Sequence, residues 1–539
     1  MKNVSRIIAT AIAVMMLLGA CGFPAPSDND AAEKTAPPVQ TVDREAEQTT
    51  LPVLSIETKS REDGVTDFVT EPVAPHVAEQ IASWTPGYVM PPAPYYEACE
   101  ISLRSGEGET LLGPCDAMVK VRGNWTTTYP KKPLRIKFTE KQNLLGLNGG
   151  AEQKNWVLLA EYKDASMLRD KAALYVSREI LGQDGLYASD AAFVRVELNG
   201  EYLGLYLLAE MQQVSACRVR ITEPEEGYAG TDIGYFLEYD GYFTDEDDLQ
   251  SFPLDFADNA PLRAYNGDPD LKIMMRPLPT SMRDVKKPVG ITIKSDIFSR
   301  EQHDFIENFV NKTYRIMYEA AYNGKAFVFD EAYRDITETD ALTPREAVER
   351  VVDVRSLADM YIISELTCDA DIYWSSFYMD VDFGPDGSRK LRFEAPWDFD
   401  SSMGNKDRCL DGTGFYACNI VPDVNGGPKG GGQYETINPW LAVLAYEDWY
   451  QALVREIWTR AYDSGVFDRC CEMIADDSAG LRDEFEANYA KWDNIRHREA
   501  FETELSAPAK SCLTQAEAAE FLLQWLTGRI AFLNSRWHT

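Results

Sequence analysis

Apolar and polar residues alternate with period two in three early stretches, at 100–104, 118–122 and 133–138. Each predicts a strand with one buried face. In the third, that period puts Leu134, Ile136 and Phe138 on one face and Arg135 and Lys137 on the other. Further strands are expected at 193–198 and 203–208, joined by Asn199-Gly200, two residues that tolerate the positive φ of a tight hairpin turn. Shorter strand patterns follow at 234–239, 377–381 and 390–395. Helical spacing begins after Asp164, a cap for a helix through Leu168, Ala172, Tyr175 and Val176. Ser299 with Gln302 forms a capping box before Phe305, Ile306, Phe309, Val310, Ile316 and Met317, and Thr514 with Glu517 forms another before Leu522, Leu526, Ile530 and Leu533. A helix is also expected from about Arg355 to Leu366, and residues 440–539 read as almost wholly helical. The order is strands with one helix, helices around a hairpin, and a helical end, which predicts an α+β fold. A β-rich region at 85–290 and a helical region at 291–539, carrying a hairpin at 365–404, are the expected units.

The N-terminus changes the picture. Lys2 and Arg6 precede an apolar run at 7–18 that is too short to span a bilayer. The run ends in Leu17-Leu18-Gly19-Ala20-Cys21, which resembles a bacterial lipobox. The resemblance implies that residues 1–20 are a signal peptide, that lipid is attached to Cys21, and that the chain sits on the extracytoplasmic face of the cell membrane. Residues 21–84, rich in Pro, Ala, Thr, Asp and Glu, read as a disordered tether. The 539 residues hold 53 Lys+Arg against 87 Asp+Glu, a formal charge of −34. That balance argues against nonspecific nucleic-acid binding and suits divalent cations or basic partners. Without Cys21, nine cysteines remain. Export allows disulfides, and Cys99 with Cys115 and Cys409 with Cys418 are the nearest pairs. No CxxC spacing occurs, and His76, His303, His497 and His538 are scattered without a metal-type partner, which argues against a zinc site or a Ser-His-Asp triad.

The densest candidate chemistry lies at 365–404. Asp369 and Asp371 follow the helix before the hairpin, and Pro396-Trp397-Asp398-Phe399-Asp400 follows its second strand. If the chain stays extended there, Asp398 and Asp400 point the same way, and two such carboxylates favour a cation between them; Mg²⁺ suits few carboxylates plus phosphate and water. A carboxylate from Asp369 or Asp371 could orient an attacking hydroxyl. Asp382-Phe383-Gly384 sits in turn chemistry and is rejected as a metal tripeptide. No GxxxxGK[ST] phosphate loop occurs. A glycosidase pair fits Asp398 and Asp400 poorly, because such carboxyls need about 5–9 Å between them.

Several segments, in order, resemble the CotH family of atypical secreted protein kinases: Arg122-Gly-Asn124 with Lys131-Lys132-Pro-Leu-Arg-Ile-Lys137; Asn155-Trp-Val-Leu-Leu; Tyr162-Lys-Asp164 with Met167-Leu168-Arg169; Val196 through Glu210; Glu365 through Asp371; Pro396 through Asp400; and Trp525 through Leu533. The resemblance covers roughly 95–539. It implies a divergent protein-kinase-like fold, ATP and Mg²⁺ as cofactors, and phosphorylation of Ser or Thr on an exported protein substrate. It makes Asp371 the catalytic aspartate, with Asp369 competing for that role, and Asp398 and Asp400 the metal ligands. Lys132 or Lys137 would meet phosphate, with Arg122 bordering the nucleotide and Glu210, at a strand end, either bordering it or, the favoured alternative, pairing structurally. Where the family often has Asn after the catalytic aspartate, this chain has Ser375-Ser376. A non-catalytic surface module that binds a partner on the same scaffold is the rival reading. The oligomeric state, the acceptor and the disulfide pairing stay open.

Overall fold

The computed structural model describes residues 51–539 apart from 63, 255–260, 272–273, 276–288, 370, 407–409, 411, 419–420, 423–434, 437 and 500. The signal peptide, Cys21 and Cys409 fall outside the described residues. Seven strands, β1 (Val53–Thr58), β2 (Glu97–Arg104), β3 (Thr110–Val121), β4 (Leu134–Gln142), β5 (Gln153–Leu159), β6 (Ala191–Leu198) and β7 (Glu201–Glu210), close into a barrel in the order β1-β2-β3-β4-β5-β7-β6. Leu54, Ile56, Ile101, Val119, Leu134, Ile136, Phe138 and Trp156 fill its interior with no exposure above 1%, as the period of two requires. Asn199 and Gly200 make the expected turn, with φ of 52° and 80°.

The first helix, α1 (Pro75–Trp84), and β1 both lie inside the stretch expected to be a tether. β1 pairs antiparallel with β2 and parallel with β6, so it is the strand that closes the barrel. The polar average over residues 21–84 hides the alternation of Leu54 and Ile56 with Ser55 and Glu57.

β5 and β7 are apolar on both faces, because Val157, Leu159, Leu205 and Leu207 point outward into a second, larger core that continues into the helices. The first element of that core is α2 (Arg169–Leu181). Both oxygens of buried Asp164 are spent at its start, on Ser166, on the backbone N–H groups of Leu168 and Arg169, and on the Arg169 guanidinium. A second sheet follows, built from β8 (Gly234–Asp240), β9 (Ser251–Pro253), β10 (Gly290–Ile293), β11 (Phe377–Asp382) and β12 (Arg392–Phe393), antiparallel throughout in the order β12-β11-β8-β10-β9. It takes strands from both sides of residue 290, so the boundary expected there runs through one sheet.

Helices α3 (Arg300–Asn323), α4 (Val354–Thr367), α5 (Asp448–Asp463), α6 (Val466–Gly480), α7 (Arg482–Trp492) and α8 (Gln515–Trp537) complete the mixed α+β architecture. The capping boxes at Ser299 and Thr514 are both formed. Glu365 of α4 and Arg529 of α8 make a fully buried ion pair at 2.9 Å, and the Glu365 carboxylate also accepts the N–H groups of Tyr416 and Ala417. Cys99 and Cys115 are free thiols. In the register, Cys99 faces Ala117 and Cys115 faces Ile101, and such diagonal neighbours, about 7–8 Å apart, exceed disulfide reach. Among the described residues, no helix is long and apolar enough to cross a membrane.

Candidate active site

Two chain segments meet between the barrel and the helices. The first leaves α4. Helix geometry stops at Cys368, whose φ of 49° is left-handed. The next residue, Asp369, is 5% exposed, and its Oδ1 accepts the Asp371 N–H at 3.0 Å. The Asp371 carbonyl then accepts the N–H groups of Trp374 and Ser375, at 2.7 and 3.0 Å. The result is a tight loop that Asp369 braces from inside, while the Asp371 side chain keeps 26% exposure and meets Lys406 at 3.6 Å.

The second segment leaves β12. The chain does not stay extended there: Ala395 and Asp398 take φ of 60° and 72°, and residues 400–405 are turns. The extended i, i+2 geometry expected for Asp398 and Asp400 is therefore absent. They share the site because the backbone coils, held by specific contacts. Asp170, one residue into α2, accepts the Phe399 N–H at 2.7 Å, between the two aspartates. Arg169 donates to the Ser402 carbonyl at 3.2 Å, and the Met403 N–H reaches the Thr367 carbonyl at 2.7 Å, which docks the coil on the end of α4. Asn405 closes it by donating to the Asp400 carbonyl at 2.6 Å.

Lys163, on the segment between β5 and α2, sits 3.0 Å from Asp400 and donates to Ser401. Burial pushes its ammonium down, but Asp400, Tyr129, Glu504 and Asp371 outweigh that and hold it well above its usual range. The carboxyls around it remain short of positive charge. Burial, followed by Asp400, Asp371 and Asp170, pushes Asp398 up to about 8. Burial and Asp400 push Asp170 up to about 7, and burial with Asp170 and Asp164 holds Glu161 well above the carboxylate range. Hard oxygen donors with a deficit of cations fit a divalent ion such as Mg²⁺. Asp398, with Ser376 Oγ at 3.5 Å from its Oδ2, and Asp400 could hold such an ion.

Arg122 enters from the end of β3. Its guanidinium lies over the Trp397 ring at 5.6 Å and senses the charge of Asp398. The other expected nucleotide contacts are elsewhere. Lys132 is 5% exposed and gives its ammonium to the Thr127 carbonyl, and burial lowers it to about 8. Lys137 stands exposed on the outer face of β4, opposite Leu134 and Ile136. Glu210 is fully buried in an ion pair with Arg218 at 3.0 Å and accepts from Asn148 and the Asp190 N–H. A lysine in a motif and a glutamate at a strand end thus serve the barrel wall, because each finds a backbone or arginine partner within it. Asp382 accepts from Thr222 and from the Gly384 N–H, and Phe383 is buried, so that tripeptide is a hairpin turn.

The sequence carries no direct sign of a role for Lys163, Asp170, Glu161 or Lys406. Lys163 lies inside the quoted Tyr162-Lys-Asp164 segment and Asp170 directly follows Arg169, so position alone marked them. Lys406 carried no signal, being six residues beyond Asp400 in an irregular stretch. One histidine has more company than expected: His303, Asp304 and Glu307 place ligand atoms within 4.8 Å of one another on α3. The Arg300 guanidinium is 3.3 Å from His303 Nδ1, however, and His303 Nε2 contacts the Ser251 carbonyl.

With this geometry in place, the family model described as CotH kinase protein matches residues 119–507, well over half of the chain. No curated protein matches.

Proposed function

The chain belongs to the CotH kinase family, and from that premise we propose that it transfers the γ-phosphoryl group of ATP to a Ser or Thr hydroxyl on an exported protein. In this reading the lipid on Cys21 holds it at the outer face of the membrane. The observation that carries the proposal is the convergence of Asp371 and Asp398, from the two ends of a hairpin, with Asp400, Lys163, Arg122 and Lys406. Phosphoryl transfer asks for this combination: a base, oxygen ligands for metal, and cations for phosphate.

Asp371 is the partly exposed carboxylate of the loop, and it orients the acceptor hydroxyl and takes its proton. The hydroxyl oxygen forms a bond to the γ-phosphorus as the bond from that phosphorus to the bridging oxygen of ADP breaks. Asp398 and Asp400 would hold Mg²⁺, which would supply charge neutralisation. Lys163, 3.0 Å away, aims the Asp400 carboxylate. Arg122 offers its guanidinium toward phosphate from the barrel side.

One observation favours the non-catalytic alternative: Lys163 and Lys406 already pair with Asp400 and Asp371, so part of the pocket neutralises itself. Labelled ATP decides between the two. Incubated with Mg²⁺ and an acceptor protein, the full chain is expected to label the acceptor or itself, and Asp371→Asn or Asp398→Asn to lower the rate by about 10²-fold or more. No label from the native chain, together with no ATP binding in equilibrium dialysis, would overturn the kinase reading in favour of a binding module.

A further inference from the structure

We propose that Lys406 is a catalytic residue of this site, a cation that moves from Asp371 to the phosphoryl group in transit. The inference rests on the kinase reading above. Among the described residues, Asp371 is the one ion-pair partner of Lys406, at the loose distance of 3.6 Å, and the lysine side chain is 11% exposed. Lys163, by contrast, is 7% exposed and tied to Asp400, Ser401 and Glu504. The two lysines are thus held differently: one is tied to three groups, the other sits beside the proton acceptor at a longer distance.

The backbone leading into Lys406 is restrained. Asn405 gives its amide to the Asp400 carbonyl at 2.6 Å, and its own carbonyl accepts the Ser506 N–H at 2.8 Å. The Gly404 carbonyl accepts Ser506 Oγ at 2.7 Å. Gly404 has φ of 76°, and a methyl group there would come within 2.7 Å of the Trp525 ring, so the turn suits glycine alone. Residues 400–405 therefore do two jobs: they coil Asp400 into the pocket, and they place the next side chain against Asp371.

A permanent ammonium on the proton acceptor would oppose its work, because it stabilises the carboxylate against protonation. The pairing becomes productive if it is temporary. As Asp371 takes the hydroxyl proton, its charge disappears and its hold on Lys406 with it. At the same moment, negative charge spreads over the equatorial oxygens of the transferring phosphoryl group, and the freed ammonium finds its stronger partner there. No bond to Lys406 is made or broken.

The test uses the full chain with Lys406→Met and Lys406→Arg, reading ATP turnover and, independently, binding of ADP with and without aluminium fluoride, a mimic of the transferring group. For Lys406→Met, kcat is expected to fall by about 10²-fold with KM for ATP changed less than about threefold. ADP alone should bind as in the native chain, while the extra affinity conferred by aluminium fluoride is lost. Lys406→Arg should recover at least about a tenth of the native kcat. A Lys406→Met chain that keeps native kcat, or that keeps its preference for ADP–aluminium fluoride, overturns the assignment even though the enzyme is a kinase. Equal loss in both variants, with ADP binding lost too, overturns it in favour of a structural role. A native chain that binds neither nucleotide form defeats the kinase reading and this inference with it.

Discussion

Asp398 concentrates the residue-scale physics. An aspartate in an unfolded chain ionises near 4, whereas here burial and three neighbouring carboxylates raise Asp398 to about 8. Between those values the unfolded chain binds fewer protons than the folded one, so the metal-free fold loses stability as pH rises through that window. Removing the charge should reverse the penalty. Asp398→Asn is expected to melt about 2–5 °C above the native chain at pH 8 without metal, and at the same temperature near pH 4. Magnesium should raise the native melting temperature more at pH 8 than at pH 5, because protons compete for the same oxygens, and it should raise that of Asp398→Asn far less. Differential scanning fluorimetry across pH checks both. A native chain whose stability is flat from pH 5 to 8 would show that Asp398 is not strained.

Two features at the scale of elements can be probed by single changes. The loop carrying Asp371 rests on Gly241, just after β8, whose N–H donates to the Trp374 carbonyl at 2.7 Å. A methyl group at Gly241 would land inside the Trp374 indole, so Gly241→Ala must push the loop. Turnover is expected to fall by about tenfold or more, since small misplacements of a catalytic group are costly, with little change in ADP binding. The second feature joins α4 to α8. Arg529→Met strands the Glu365 carboxylate in the core, and urea unfolding should show a loss of about 3–5 kcal/mol. The double change with Glu365→Gln should lose less than the sum of the single changes, because the orphaned charge goes with it.

Closure of the barrel matters at the scale of the whole molecule. β1 supplies pairing to both β2 and β6, and the barrel in turn carries Arg122 and leads into Lys163. A chain beginning at residue 60 lacks β1 and exposes two strand edges and the interior around Ile101 and Val196, a state that invites aggregation. It should fail to give a cooperative melt, whereas a chain beginning at residue 50 should fold. If both melt alike, residues 53–58 are dispensable and the tether does reach the helices.

By itself, the sequence determined the alternating faces of β4, the Asn199-Gly200 turn, both capping boxes, the α+β order and the two aspartate-bearing segments. All of these rest on neighbours in the chain, where period and turn chemistry act directly. The identity of a side chain's partner is decided across hundreds of residues, and no local rule reaches that far. So Lys132 and Glu210, plausible as ligand contacts in line, turn inward to a carbonyl and an arginine. Asp369 braces a loop while Asp371 stays partly exposed. Asp398 and Asp400 converge through a coil held by Asp170, Arg169 and Thr367, not through strand geometry. Lys163 and Lys406 gained their place only when the chain closed, since the strength of a charge pair is set by distance and burial, which the tertiary structure alone assigns.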